Sequence, residues 1–120
     1  MGSPIVHFEI LGKDHAGIRQ FYASQFGWNM QDAGEGYTLV KTAEGSPGGG
    51  VGTPPEGIDR MVTLYVQVDS IDKALVSITK AGGKTVIPRT VLPGMVIYAQ
   101  FADPAGNVIG LVEPEMPPAE

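Results

Sequence analysis

Two stretches of this 120-residue chain run in parallel. "IVHFEILGKDHAGIRQFYASQFGW" begins at Ile5 and "MVTLYVQVDSIDKALVSITKAGGK" begins at Met61. Val6 aligns with Val62, His7 with Thr63, Phe8 with Leu64 and Gly27 with Gly83, at a constant offset of 56. Each copy opens with an alternating apolar and polar segment, 6–11 and 62–68, which reads as a strand. Each then offers a capping residue, Asp14 or Ser70, before apolar residues at helical spacing. Ile71, Ala74, Leu75, Ile78 and Ala81 mark the second helix, and Gly82-Gly83 closes it. In the first helix Ile18, Phe21, Tyr22 and Phe26 are expected to be buried, and Gly27 ends it. Gly17 in its first turn weakens it a little. A duplicated pattern constrains the fold strongly, because both copies must bury the same face in the same way.

Strand-like runs follow each helix. They cover 37–42 and a short piece near 50–53 in the first copy, then 85–87, 95–102 and 108–112 in the second. "DPAGN", 103–107, is a turn between the last two, which makes Asp103 a turn-former and not an acid catalyst. Each copy reads βαβββ, and the class is α+β. One domain is expected over 1–120, with module 1 about 4–53, module 2 about 60–113 and a proline-rich tail 114–120 at the surface. "EGSPGGGVGTPPEG", 44–57, separates the modules. Its glycines lack the strand-then-helix setting and the following Lys of a phosphate loop. They read as a flexible connection that can serve as a lid over a cavity, and the loop is also expected to contribute a strand.

The bulk composition narrows the partners. A net charge of −5 argues against nucleic acid. No apolar run approaches the roughly 20 residues of a membrane helix, and no secretory leader pattern opens the chain. The chain has no Cys, which removes disulfides, thiolate metal sites and Cys nucleophiles. That fits a reducing compartment, and a cytoplasmic protein is expected.

"VHFEI", 6–10, places His7 and Glu9 on one face of a strand. A His and a carboxylate so placed read as two metal ligands, as an acid–base pair, or as a solvated face. On the matching strand Thr63, Tyr65 and Gln67 take the same side, while Val62, Leu64, Val66 and Val68 pack beneath a helix. On the strand 95–102 the choice lies between Tyr98 with Gln100 and Ile97 with Ala99 and Phe101; Tyr98 and Gln100 are preferred.

"VHFEI…FYASQFGW", "VTLYVQVDSIDKAL…AGGK" and "FADPAGNVIGLVE" together resemble the vicinal oxygen chelate superfamily, over about Pro4 to Glu113. Its members include glyoxalase I, extradiol dioxygenases, fosfomycin resistance enzymes and bleomycin-resistance proteins. The resemblance implies two tandem βαβββ modules forming a cup-shaped, open barrel-like mixed sheet with helices outside. It also implies four metal-ligand places, on the first and last strand of each module. The first falls on His7. The second, where His is usual, is Thr63. The closing-strand Glu of "DPxGxxxEL" falls on Gly110 in "DPAGNVIGL". The fourth falls within Gly48 to Thr53, which holds no carboxylate or imidazole. A zinc or iron site needs three or more protein donors, so only His7 matches and no metal cofactor is expected.

The candidate ligand-binding set is therefore His7, Glu9, Thr63, Tyr65, Gln67, Tyr98 and Gln100, an aromatic wall with a few polar anchors. His7 and Glu9 are the candidate catalytic pair, with Glu9 as a base if its environment is apolar. His7 reads equally well as a structural group bonded to Glu9 or Tyr65. His15 is expected at the surface, and Trp28 in ordinary packing. The leading expectation is metal-independent binding of a small organic molecule by a homodimer, resembling the bleomycin-resistance branch. The alternatives are a lyase, isomerase or dioxygenase-type enzyme using His7 and Glu9, with or without a divalent metal, and a protein-binding module with a vestigial cavity.

Overall fold

The computed structural model describes residues 2–34 and 36–114, so the tail beyond Pro114 lies outside the described residues. Its elements run β1 (Ile5–Gly12), α1 (His15–Phe26), β2 (Asn29–Asp32), β3 (Tyr37–Lys41), β4 (Gly48–Gly52), β5 (Arg60–Gln67), α2 (Ile71–Lys80), β6 (Lys84–Leu92), β7 (Val96–Ala102) and β8 (Val108–Val112). The βαβββ pattern occurs twice, and the fold is mixed α+β. The chain divides into two compact units: Val6–Leu64, and Tyr65 onward with the first residues up to Ile5. The boundary falls inside β5. No helix among the described residues is long and apolar enough to cross a membrane.

In the first unit β2 pairs antiparallel with β3, β3 antiparallel with β4, and β4 parallel with β1. Asp14 caps α1, its side chain accepting from the Gly17 N–H, and Gly27 closes the helix. The expected burial on α1 does not occur. Phe21 is 55% exposed and Phe26 62% exposed, while Ile18 and Tyr22 are half-buried. The nearby strand β4 is "GGGVG", which offers α1 little side-chain surface. The rings pack on one another instead: Tyr22 stacks on Trp28 at 5.5 Å, with Phe26 and Phe8 against the same indole. His15 also departs from its expected surface position. It is half-buried, and its Nε2 lies 3.0 Å from the hydroxyl of buried Thr38.

The glycine-rich segment supplies the strand expected near 50–53, beginning two residues earlier, and does not form a lid there. Gly48–Gly52 forms β4 between β1 and β3, and residues 49–52 are buried. Glycine has a weak strand propensity, yet its backbone completes a ladder like any other residue. The short polar strand β2, "NMQD", gives no propensity signal and appears only through its pairing with β3.

In the second unit the end of β5 pairs parallel with β8, β8 antiparallel with β7, and β7 antiparallel with β6. The α2 pattern does what the spacing predicts. Ile71 and Leu75 pack with Ile97, Ala99 and Leu111, and Val66, Val68, Ala74, Ile78 and Phe101 join them. Ser70 caps the helix at the Lys73 N–H, and the Glu113 carboxylate accepts the Ile71 N–H while pairing with Arg89. Val66 and Val68 pack as expected; Val62, 71% exposed, and Leu64, 40% exposed, do not. A helix of ten residues spans only about 15 Å. It covers the last two of these four valine and leucine positions and leaves the first two outside its cluster.

Candidate functional site

Alternation along β1 turns Phe8 toward Trp28, against which Tyr22 and Phe26 of α1 also pack, and places His7 and Glu9 on the other face. There both meet one hydroxyl. His7 Nε2 lies 3.0 Å from Tyr37 Oη, and Tyr37 Oη donates to Glu9 Oε2 at 3.0 Å. Burial holds the His7 imidazole below its ordinary value of 6.5, so the ring is neutral near pH 7.

Tyr37 reaches β1 across β4 because the intervening strand has no side chains on this face. Gly50 pairs with Glu9 on one side and Leu39 on the other, and Gly52 pairs with Leu11 and Tyr37. A Cβ built on Gly50 would overlap the Tyr37 hydroxyl. The sequence reading missed Tyr37. A signal existed: in register it is the counterpart of Tyr98, since Tyr37 stands opposite Gly52 as Tyr98 stands opposite Val112. The offset between copies has by then drifted from 56 to 61, which hides the match.

The second unit repeats the arrangement with neutral groups. Gly110 pairs with Tyr65 and Gln100, and a Cβ on Gly110 would overlap the Tyr65 ring. Gln100 Nε2 donates to Tyr65 Oη at 3.0 Å, and both residues are buried. Val112 stands between Gln67 and Tyr98 in the next rung. Ile97, Ala99 and Phe101 face α2, so Tyr98 and Gln100 lie on the opposite face with Tyr65 and Gln67. Thr63 is 1% exposed and belongs to the first unit. Within the sequence-derived set, His7 and Glu9 are joined through Tyr37, and Tyr65 is joined to Gln100.

A hollow of the first unit lies elsewhere. It is an open groove of about 650 Å³ beside α1, lined by Ile10, Ile18, Phe21, Arg60 and Val62 among others. Ile10 points to the opposite side of β1 from Glu9, so the groove is not the polar site.

A model of the Glyoxalase/Bleomycin resistance protein/Dioxygenase superfamily matches residues 4–111. The chain belongs to this superfamily. It is 26% identical over 106 residues to the CFP32 proteins of Mycobacterium bovis and Mycobacterium tuberculosis, whose names assign them provisionally as glyoxylases. That alignment takes in 82% of this chain and 41% of each relative, so the chain spans about two fifths of the length of the curated relatives it matches. In fold it is similar to an Mn(II)-bound glyoxalase from Novosphingobium aromaticivorans, with TM-score 0.73 and 20% identity over 99% of this chain and 41% of that one. It is also similar to the methylmalonyl-CoA epimerase of Mycobacterium tuberculosis, with TM-score 0.69 and 16% identity over 92% of this chain and 87% of that one. A third similar fold is homoprotocatechuate 2,3-dioxygenase from Brevibacterium fuscum, with TM-score 0.70 and 17% identity over 96% of this chain and 38% of that one.

The donor set does not fit the metal that the superfamily pattern implies. Of the four ligand places, one is His7, one is Thr63, and the closing-strand places are Gly110 and its register counterpart Gly50, each beneath a tyrosine. Among the described residues no three His, Asp or Glu side chains gather where they could hold one metal ion. His7 and Glu9 offer two donors, and both are engaged by Tyr37.

Proposed function

We propose that this superfamily member binds a small organic molecule at the His7–Tyr37–Glu9 set without a family-type metal. The observation that carries the reading is the pair Gly50 and Gly110. A carboxylate at either position would collide with Tyr37 or Tyr65, so the tyrosines take the space that a metal ligand would need. His7, Tyr37 and Glu9 supply polar anchors in the first unit. The row of Tyr65, Gln100, Tyr98 and Gln67 is the corresponding candidate surface of the second. A homodimer fits β2 and β6, the strands at the outer side of β3 and of β7 in their respective units. The absence of Cys accords with a cytoplasmic setting.

A second reading, enzymatic, is favoured by the same hydrogen bonds. A neutral His linked through a hydroxyl to a carboxylate is equipped for general acid–base chemistry of the lyase or isomerase kind. Names borne by similar proteins, glyoxalase and epimerase, point the same way.

The first test is the metal content of protein purified without chelators, by elemental mass spectrometry. Metal well below one per chain, unchanged after adding divalent ions, is expected; near-stoichiometric metal sinks the metal-free reading. A thermal-shift screen of small molecules then separates the two functions. A ligand whose stabilisation is lost in Glu9→Gln, with no product formed, supports binding. Saturable turnover abolished by His7→Ala supports the enzyme.

A further inference from the structure

The groove of about 650 Å³ beside α1 is separate from the His7–Tyr37–Glu9 set, since Ile10 and Glu9 face opposite sides of β1. Its volume lies within the roughly 300–1,000 Å³ of small-molecule sites. Three elements line it: β1 with Ile10, α1 with Ile18, Phe21 and Tyr22, and β5 with Arg60 and Val62. Phe21 and Val62 stand open to solvent there, so apolar surface is left for an occupant to cover. The aromatic wall is fixed beforehand. Phe21 meets Tyr22 edge-on at 5.1 Å, and Tyr22 stacks on Trp28 at 5.5 Å. A Cβ on Gly12 would overlap Ile18, so the glycine lets α1 sit close on β1 at this end. A wall already in place costs little to order on binding.

Two charged residues line the groove, Asp14 and Arg60. The fold uses Asp14, whose side chain accepts the Gly17 N–H as the cap of α1. Arg60 has no such use. Among the described residues its side chain makes no ion pair, and the adjacent carboxylate, Asp59, pairs with Lys13 at 2.8 Å instead.

We propose that the groove is a second ligand site, for a monoanionic amphiphile with a carboxylate head at Arg60 and an apolar body against Phe21, Tyr22 and Val62. A guanidinium presents a fork of donors that matches a carboxylate. The net charge of −5 repels anions in general, so an anion stays only where its apolar body adds burial. Asp14 gives the site its polarity, because it repels a second negative group at the far end of the ligand. A second copy of this chain, itself at −5, is the poorer occupant by charge.

The chain has a single Trp, and Trp28 stacks on a residue of the groove wall, so its fluorescence reports on this place. Equilibrium dialysis with decanoate, kept below its micellar concentration, measures binding, and Trp28 emission locates it. Saturable binding of one decanoate per chain with a change in Trp28 emission is expected; no binding at millimolar decanoate overturns the proposal. Arg60→Gln should weaken decanoate about two- to fivefold and leave decanol unchanged. Equal effects on both, or none, overturn the head position. Phe21→Ser should weaken both ligands about tenfold, and Val62→Ser repeats the test at a second exposed position; undiminished binding in both variants overturns the groove. Sebacate, charged at both ends, should bind more weakly than decanoate, and equal affinity overturns the single charge. Glu9→Gln should leave decanoate binding unchanged. Loss of binding there places decanoate at the polar set and overturns a second site, while leaving the reading of that set standing. Binding to vesicles of phosphatidylglycerol and phosphatidylcholine without binding of monomeric decanoate makes the groove a membrane contact and overturns the proposal. So does a dimer in sedimentation velocity that Phe21→Ser dissolves and decanoate does not.

Discussion

In the first unit Gly50 lies between Glu9 and Leu39; in the second Gly110 lies between Tyr65 and Gln100. The rungs are the same, and in both a tyrosine covers the glycine. The contents differ. The first unit holds a half-buried set that includes an imidazole and a carboxylate, with the neighbouring helix leaving Phe21 and Phe26 exposed. The second holds a neutral, buried Tyr65–Gln100 pair over a helix whose Ile71 and Leu75 are sealed into a core. One duplicated backbone has thus been spent in two ways, with titratable chemistry in the first copy and tight packing in the second. That separation is physically sensible, because a charged, partly open set cannot also be a dry core.

The contrast breaks first, and by the largest margin, at the helices. Ile71→Ala removes a fully buried side chain and should lower stability by about 2–5 kcal/mol, whereas Phe26→Ala, at a 62% exposed position, should change it by less than about 1 kcal/mol. Urea denaturation measures both, and equal losses would erase the difference between the copies.

The glycines sharpen the contrast at a smaller scale. Gly110→Ala drives a methyl group into the buried Tyr65 ring and should cost about 1–3 kcal/mol. Adding Tyr65→Ala should recover part of that loss, a non-additive cycle for two residues in contact. Gly50→Ala should cost less, because half-buried Tyr37 can turn outward, but it should break the Tyr37 hydrogen bonds to His7 and Glu9. A Gly50→Ala protein whose His7 imidazole ¹⁵N shifts match those of the wild type would contradict the geometry.

The smallest effects concern pH. His7 is held below its ordinary 6.5 by burial, so below that pH the unfolded chain binds more protons than the folded one. Its contribution to stability is complete above about 6.5 and declines as pH falls from there through the folded value. Glu113 is held below its ordinary 4.5, first by the Arg89 hydrogen bonds and then by the Ile71 N–H. Its contribution is present above 4.5 and is lost as pH falls through its lowered value. In denaturation midpoints measured against pH, His7→Gln should flatten the upper window and Glu113→Gln the lower one. A single flattening shared by both variants would refute the assignment.

The fold was legible where the signal is local. Asp14 and Ser70 cap their helices, Gly27 ends α1, and Asp103 folds the turn before β8 by accepting from the Ala105 and Asn107 N–H groups. The pattern failed where a strand carries no side-chain message, as in β2, and it caught only the later part of β4; it also failed where burial depends on the partner surface, as for Phe26, Val62 and His15. Of the site, β1 showed His7 and Glu9, and nothing local showed Tyr37.

The sequence by itself determined the doubled βαβββ order, the face on which His7 and Glu9 stand, and the missing donors at Thr63 and Gly110, because alternation, caps and residue identity are properties of a few neighbouring residues. Only the tertiary structure decided that Tyr37 joins His7 and Glu9. Those bonds span 30 and 28 residues of sequence. They depend on how β3 and β1 register against the glycine strand between them, and that register is set by turn lengths and packing, not by any one strand's own pattern.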